Sequence, residues 1–77
     1  MEKVKQIIGN VIGYESHEVE MSDDLEYDLG FDSLDAVECL MDLEREFQIT
    51  IHDDRAMKCK TVEDVHKLLD SYGVKLV

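Results

Sequence analysis

Proline and tryptophan are absent from the 77 residues, and glycine occurs only four times. A chain with so few helix breakers, and with Glu, Lys, Leu, Met and Asp in quantity, leans locally towards helix, so an all-helical bundle is expected. Basic residues are scarce too: eight Lys and Arg stand against nineteen Asp and Glu, a formal net charge of -11. Such a field repels nucleic acid and anionic membrane surfaces and attracts proteins with basic patches, which excludes DNA binding. No long apolar run is present. The start Met1-Glu2-Lys3-Val4 is charged and amphipathic, so neither a signal peptide nor membrane insertion is expected, and the cytoplasm is the expected location. Cys39 and Cys59 form no CxxC pair and share no ligand spacing with His17, His52 or His66. No specific metal site is expected, and both thiols read as small buried hydrophobes.

With 44% hydrophobic residues, the chain has material for one domain over 1-77 and one small core. Val4, Ile7, Ile8, Val11 and Ile12 form the stripe of one helical face, a first helix closed by Gly13. From Tyr14 to Asp32 no period is sustained, and the segment reads as a long connection anchored by Val19, Leu25 and Leu29. A second helix runs from Ser33 to Phe47, with Asp32 as N-cap and Asp35 completing a partial capping box. Acids before Ala56 and Met57 suggest a brief third helix after Ile49-Thr50-Ile51. Thr61 and Asp64 repeat the capping box ahead of a last helix whose apolar face is Val62, Val65, Leu68, Leu69 and Tyr72, closed by Gly73. The expected fold is all-α: a small four-helix bundle, three helices longer and the third short, with a long loop between the first two.

Laid out at ~100° per residue, the second helix turns Ala36, Cys39, Leu40, Leu43 and Phe47 to the core. Leu34, Val37 and Met41 carry the apolar surface further than one core needs, beside Asp35, Glu38 and Asp42. Such a double strip suits a deeply buried helix with one solvated edge as well as it suits a docking surface. Ser33 at its head favours docking. A hydroxyl at a helix start faces unbonded N–H groups and the positive end of the dipole, a setting that favours an attached phosphate.

Two other chemistries fail on spacing. A calcium loop starting at Asp24 has Leu29 where glycine is needed, and bringing Gly30 into register puts Leu25 at the first ligand. A hydrolase would need G-x-S-x-G, but Leu34 and Asp35 follow Ser33 and no glycine stands two residues on. A domain this small also lacks room for a catalytic cleft, so no enzyme is expected.

The run Asp28-Leu29-Gly30-Phe31-Asp32-Ser33-Leu34-Asp35-Ala36-Val37-Glu38, followed by Leu43-Glu44-Arg45-Glu46-Phe47, closely resembles the acyl carrier proteins of dissociated fatty acid and polyketide synthases. The likeness extends, through helix spacing, over almost the whole chain. In that family D-L-G-x-D-S-L marks the serine that carries 4'-phosphopantetheine. The resemblance implies that Ser33, flanked by Asp32 and Leu34, takes this arm from coenzyme A through a phosphopantetheinyl transferase. The arm's thiol would hold acyl groups as thioesters. It further implies that Asp32, Leu34, Asp35, Val37, Glu38, Met41, Asp42 and Glu44 face acyl-transferring, condensing and reducing enzymes with basic docking patches. Leu25, Leu29, Cys39, Leu40, Leu43, Ile51, Cys59, Val65 and Leu68 would line an acyl cavity in a monomer, where the chain would lie against two thiols. His52 stands where many relatives have Pro, and Arg45 replaces a common acid. Within the class a peptidyl, aminoacyl or D-alanyl carrier is the rival, and a free-standing chain from Met1 is expected to belong to a dissociated system. An unmodified acidic interaction module of the same fold is the rival outside it.

Overall fold

The computed structural model describes residues 2–75. Met1, on which the expectation of a free-standing chain rests, lies outside the described residues. The expected elements form: α1 (Glu2–Ile12), α2 (Ser33–Phe47), α3 (Asp53–Ala56) and α4 (Val62–Ser71), with a single 3-10 turn at Ser16–Glu18 inside the long connection. Among the described residues there is no strand, only one isolated antiparallel bridge between Asp24 and Thr61. No helix there is long and apolar enough to cross a membrane.

The core sits where the apolar stripes of α1, α2 and α4 meet. Val4, Ile8, Val19, Val62 and Leu69 are fully buried, and removing a side chain of this kind from water stabilises the fold by about 1.5–3 kcal/mol. The helix α1 stops because Gly13 adopts a left-handed φ of 79°, which turns the chain so that the Tyr14 N–H donates to the Gly9 carbonyl at 2.8 Å. That return brings the Tyr14 carbonyl so close that a Cβ on Gly9 would lie 2.5 Å from it.

The long connection is ordered by two devices. Its own acids cap its turns: Asp24 Oδ1 accepts from the N–H groups of Glu26 (2.9 Å) and Tyr27 (2.8 Å), and Asp28 Oδ2 accepts from Asp24 N–H at 2.7 Å. It is also sewn to the start of α4. Glu63 N–H donates to Met21 O (2.9 Å), Val62 N–H to Asp23 O (3.1 Å), and Leu25 N–H to Lys60 O (2.8 Å). The first donors of a helix have no intrahelical acceptor, and here the loop supplies acceptors for two of them. Of its expected anchors, Val19 and Leu29 are buried and Leu25 is half-buried; Phe31 joins them.

Both capping boxes form as expected. Asp32 Oδ1 accepts from Asp35 N–H at 2.8 Å while Asp35 Oδ2 accepts from Asp32 N–H at 3.1 Å. Thr61 and Asp64 do the same at α4. One core assignment on α2 is corrected. Ala36 is exposed, because it lines open recesses at the head of α2 instead of packing in the core cluster. Cys39 and Leu43 are buried, and Leu40 and Phe47 partly so. The short α3 is held on α4 by polar contacts. His52 N–H donates to Tyr72 Oη at 3.0 Å, the Arg55 guanidinium lies 4.4 Å over the Tyr72 ring, and Arg55 also donates to Ser71 Oγ.

Candidate functional site

Ser33 is the first residue of α2, lifted into solvent by the capping box on either side of it. Its hydroxyl, its own N–H and that of Leu34 take no protein partner among the described residues. Asp32 and Asp35 direct their carboxylates onto each other's backbone, so the two acids nearest the serine act as local acceptors. Beside Ser33 lies a groove of about 240 Å³ that also includes Lys60, the acids Glu26 and Asp32, Leu25, Phe31 and Ala36. An exposed hydroxyl and two unbonded backbone donors at a helix N-terminus suit a phosphodiester, and Lys60 offsets one of the two acids in the same groove.

The groove shares Leu25, Phe31, Ala36 and Cys59 with an apolar cavity of about 270 Å³ between α2, α3 and α4. Of the residues that the family resemblance implied for an acyl cavity, Leu25, Cys39, Leu40, Leu43, Cys59, Val65 and Leu68 line this one. Leu29 and Ile51 do not. Both are buried in the core cluster away from the opening, Leu29 where the connection folds under itself and Ile51 where its N–H is tied back to α2. Phe31, Ala36, Ala56 and Met57 complete the lining. Phe31 precedes the N-cap and Ala36 is the fourth helical residue, the spacing of a hydrophobic staple, and that signal was available in the sequence.

The outward strip is present as a surface. Leu34 is 78% exposed, and Val37 and Met41 are 54% each. Glu38 is exposed beside them, Asp35 is tied to the cap, and Asp42 accepts from Arg45 at 3.0 Å. Glu44 points elsewhere: its Oε2 accepts the Ile51 N–H at 2.8 Å. Of the two cysteines, burial pushes the Cys39 thiol up to about 12, with Asp42, Cys59 and Glu38 adding to the effect. Burial, then Asp64, raises the half-buried Cys59. Both are held as neutral thiols facing the cavity. Among the described residues no group of His, Cys, Asp or Glu is placed to hold a metal ion.

Comparison with known proteins agrees with this geometry. The family described as "Phosphopantetheine attachment site" matches residues 2–69. An acyl carrier protein of Trieres chinensis is 37% identical over 73 residues, covering 95% of this chain and 91% of that protein. One from Exiguobacterium sibiricum is 41% identical over 68 residues, covering 88% and 86%. Match and geometry converge on one grouping: the chain belongs to the phosphopantetheine attachment site family, with the acyl carrier proteins as its relatives.

Proposed function

We propose that Ser33 is the attachment point for 4'-phosphopantetheine and that the chain, one monomeric domain of the cytoplasm, carries acyl groups without catalysing their chemistry. The observation that carries this reading is the position of Ser33: exposed, without a partner among the described residues, at a capped helix start, on a groove that shares its lining with an apolar cavity. When bound, the arm supplies a thiol that holds acyl groups as thioesters. The chain's own residues do the rest. The N–H groups of Ser33 and Leu34 and the Lys60 ammonium would hold the phosphodiester, and the cavity would take the apolar chain out of water.

The exposed strip of Leu34, Val37, Glu38 and Met41 presents the loaded serine to the transferase and to enzymes with basic patches. Opposite charge speeds such encounters while exposed contacts keep them weak, and weak docking lets one carrier serve several enzymes. The apolar cavity and the names of both relatives favour an acyl cargo over an aminoacyl, D-alanyl or peptidyl one.

Incubation with coenzyme A and a broad-specificity phosphopantetheinyl transferase is expected to add one arm by mass spectrometry. Ser33→Ala should remove the addition and leave the circular dichroism spectrum unchanged. No added mass on the wild-type chain would overturn the reading.

A further inference from the structure

Three recesses meet at Cys59. One is the groove at Ser33, the second is the apolar cavity, and the third is an open recess of about 340 Å³ between α3 and α4. Cys59 lines all three, and Leu68 lines both the cavity and the third recess. The third recess therefore adjoins the apolar interior across Cys59 and Leu68, on the side where a second mouth would lie. That mouth has a different chemistry from the rest of the molecule. On a chain with a net charge of -11 and eight basic residues, three of those eight, Arg55, Lys58 and Lys67, converge on its rim.

Among the described residues none of the three forms an ion pair, since the two ion pairs there are Lys3 with Glu46 and Arg45 with Asp42. Arg55 is held in place by Ser71 Oγ and the Tyr72 ring, which fixes the guanidinium at the rim. One acid shares the rim: Asp64, whose Oδ2 accepts from the N–H groups of Lys60 (2.9 Å) and Thr61 (3.2 Å) and whose carboxylate feels the Lys67 charge, so that three cations stand against a single acid there.

An acyl chain ending in a methyl group would gain nothing from three cations at its far end. A chain ending in a carboxylate would keep that group hydrated at an open mouth and beside positive charge, with its methylenes inside. We propose that this carrier accepts acyl chains whose far end bears a carboxylate, and that Arg55, Lys58 and Lys67 receive that end where it leaves the cavity. This rests on the carrier reading above.

The test loads Ser33 with an octanoyl or an ω-carboxyoctanoyl chain from the corresponding coenzyme A thioesters, and follows hydroxylamine cleavage of the thioester together with the side-chain NMR signals of the lysines. The variant is Lys58→Gln with Lys67→Gln. Both side chains are exposed, and Arg55 is left alone because it braces α3 on α4. In the wild type the carboxylated chain should be protected at least as well as the alkyl chain and should shift the Lys58 and Lys67 signals. The variant should lose about fivefold of that protection, the scale of exposed ion pairs, with the alkyl chain unaffected. Protection of the alkyl chain alone would overturn the proposal and leave the carrier reading intact, as would equal exposure of both chains. Failure of any arm to attach would overturn both. Free nonanedioate added to the Ser33→Ala protein should leave the lysine signals in place; saturable shifts there would assign the rim to free anions and overturn the tethered-chain reading.

Discussion

Glu44 reaches seven residues along the chain, where its Oε2 accepts the Ile51 N–H at 2.8 Å. The contact ties the segment after α2 to the helix that it leaves, and sets Ile51 into the core at 3% exposure. Glu44→Ala would leave that donor without its charged acceptor, a loss of about 1–3 kcal/mol. Urea denaturation should show a lower midpoint with an unchanged slope, and Glu44→Gln, which keeps an acceptor, should lose less.

Gly9→Ala sets two effects of opposite sign against each other. Alanine favours helix over glycine by about 1 kcal/mol. The added Cβ, however, would meet the Tyr14 carbonyl at 2.5 Å, and a backbone atom cannot swing aside. Overpacking of this sort costs about 1–3 kcal/mol, so the melting temperature should fall. The same substitution at Gly13 meets no atom within 4 Å but strains a φ of 79°, so it too should destabilise, through the backbone instead of through contact.

His66 is buried, and its Nε2 finds no partner among the described residues. Burial, then the positive charges of the chain's amino group and Lys5, lowers its pKa below the ordinary value. A group with a lowered folded pKa is more readily protonated in the unfolded chain. Stability attributable to it is therefore complete above about pH 6.5 and declines as the pH falls through the folded pKa. One such proton gives a slope of at most about 1.4 kcal/mol per pH unit. Equilibrium unfolding from about pH 7 down to about pH 5 should show this loss, and His66→Leu should flatten it.

The two thiols should differ in reactivity. A thiol pushed up to about 12 keeps Cys39 on the order of a thousandth as ionised as an ordinary cysteine. Iodoacetamide at mildly alkaline pH should modify Cys59 slowly and Cys39 only once denaturant opens the fold. Mass spectrometry of the partially alkylated protein checks the order.

The features that the sequence showed most clearly are those made by neighbours. Asp32 with Asp35, and Thr61 with Asp64, announce helix starts because a capping box closes within four residues. The stripes of α1 and α4 follow from 3.6-residue spacing. Features made by distant residues were not legible. The connection from Tyr14 to Asp32 reads as irregular, since its order depends on carbonyls that meet α4 some forty residues on. Ala36 falls on the inward arc of the helical wheel, which gives direction but not whether the space faced is filled or open. Glu44 is placed among the partner-facing residues by the family resemblance, which does not show the segment that folds back to it. The cationic rim was dispersed over Arg55, Lys58 and Lys67, and only the packing of α3 on α4 collects it.

The seam between the connection and the start of α4 divides the molecule mechanically. Met21, Asp23 and Leu25 are bonded to Lys60, Val62 and Glu63, while α2 packs chiefly on α1. The cavity lies between these two bodies, with Leu25, Val65 and Leu68 on one side and Cys39, Leu40 and Leu43 on the other. On the carrier reading proposed above, cargo in the cavity should part its two walls while the hydrogen bonds that join the connection to α4 stay intact, so the stitched edge would hold its place as the opposite edge yields.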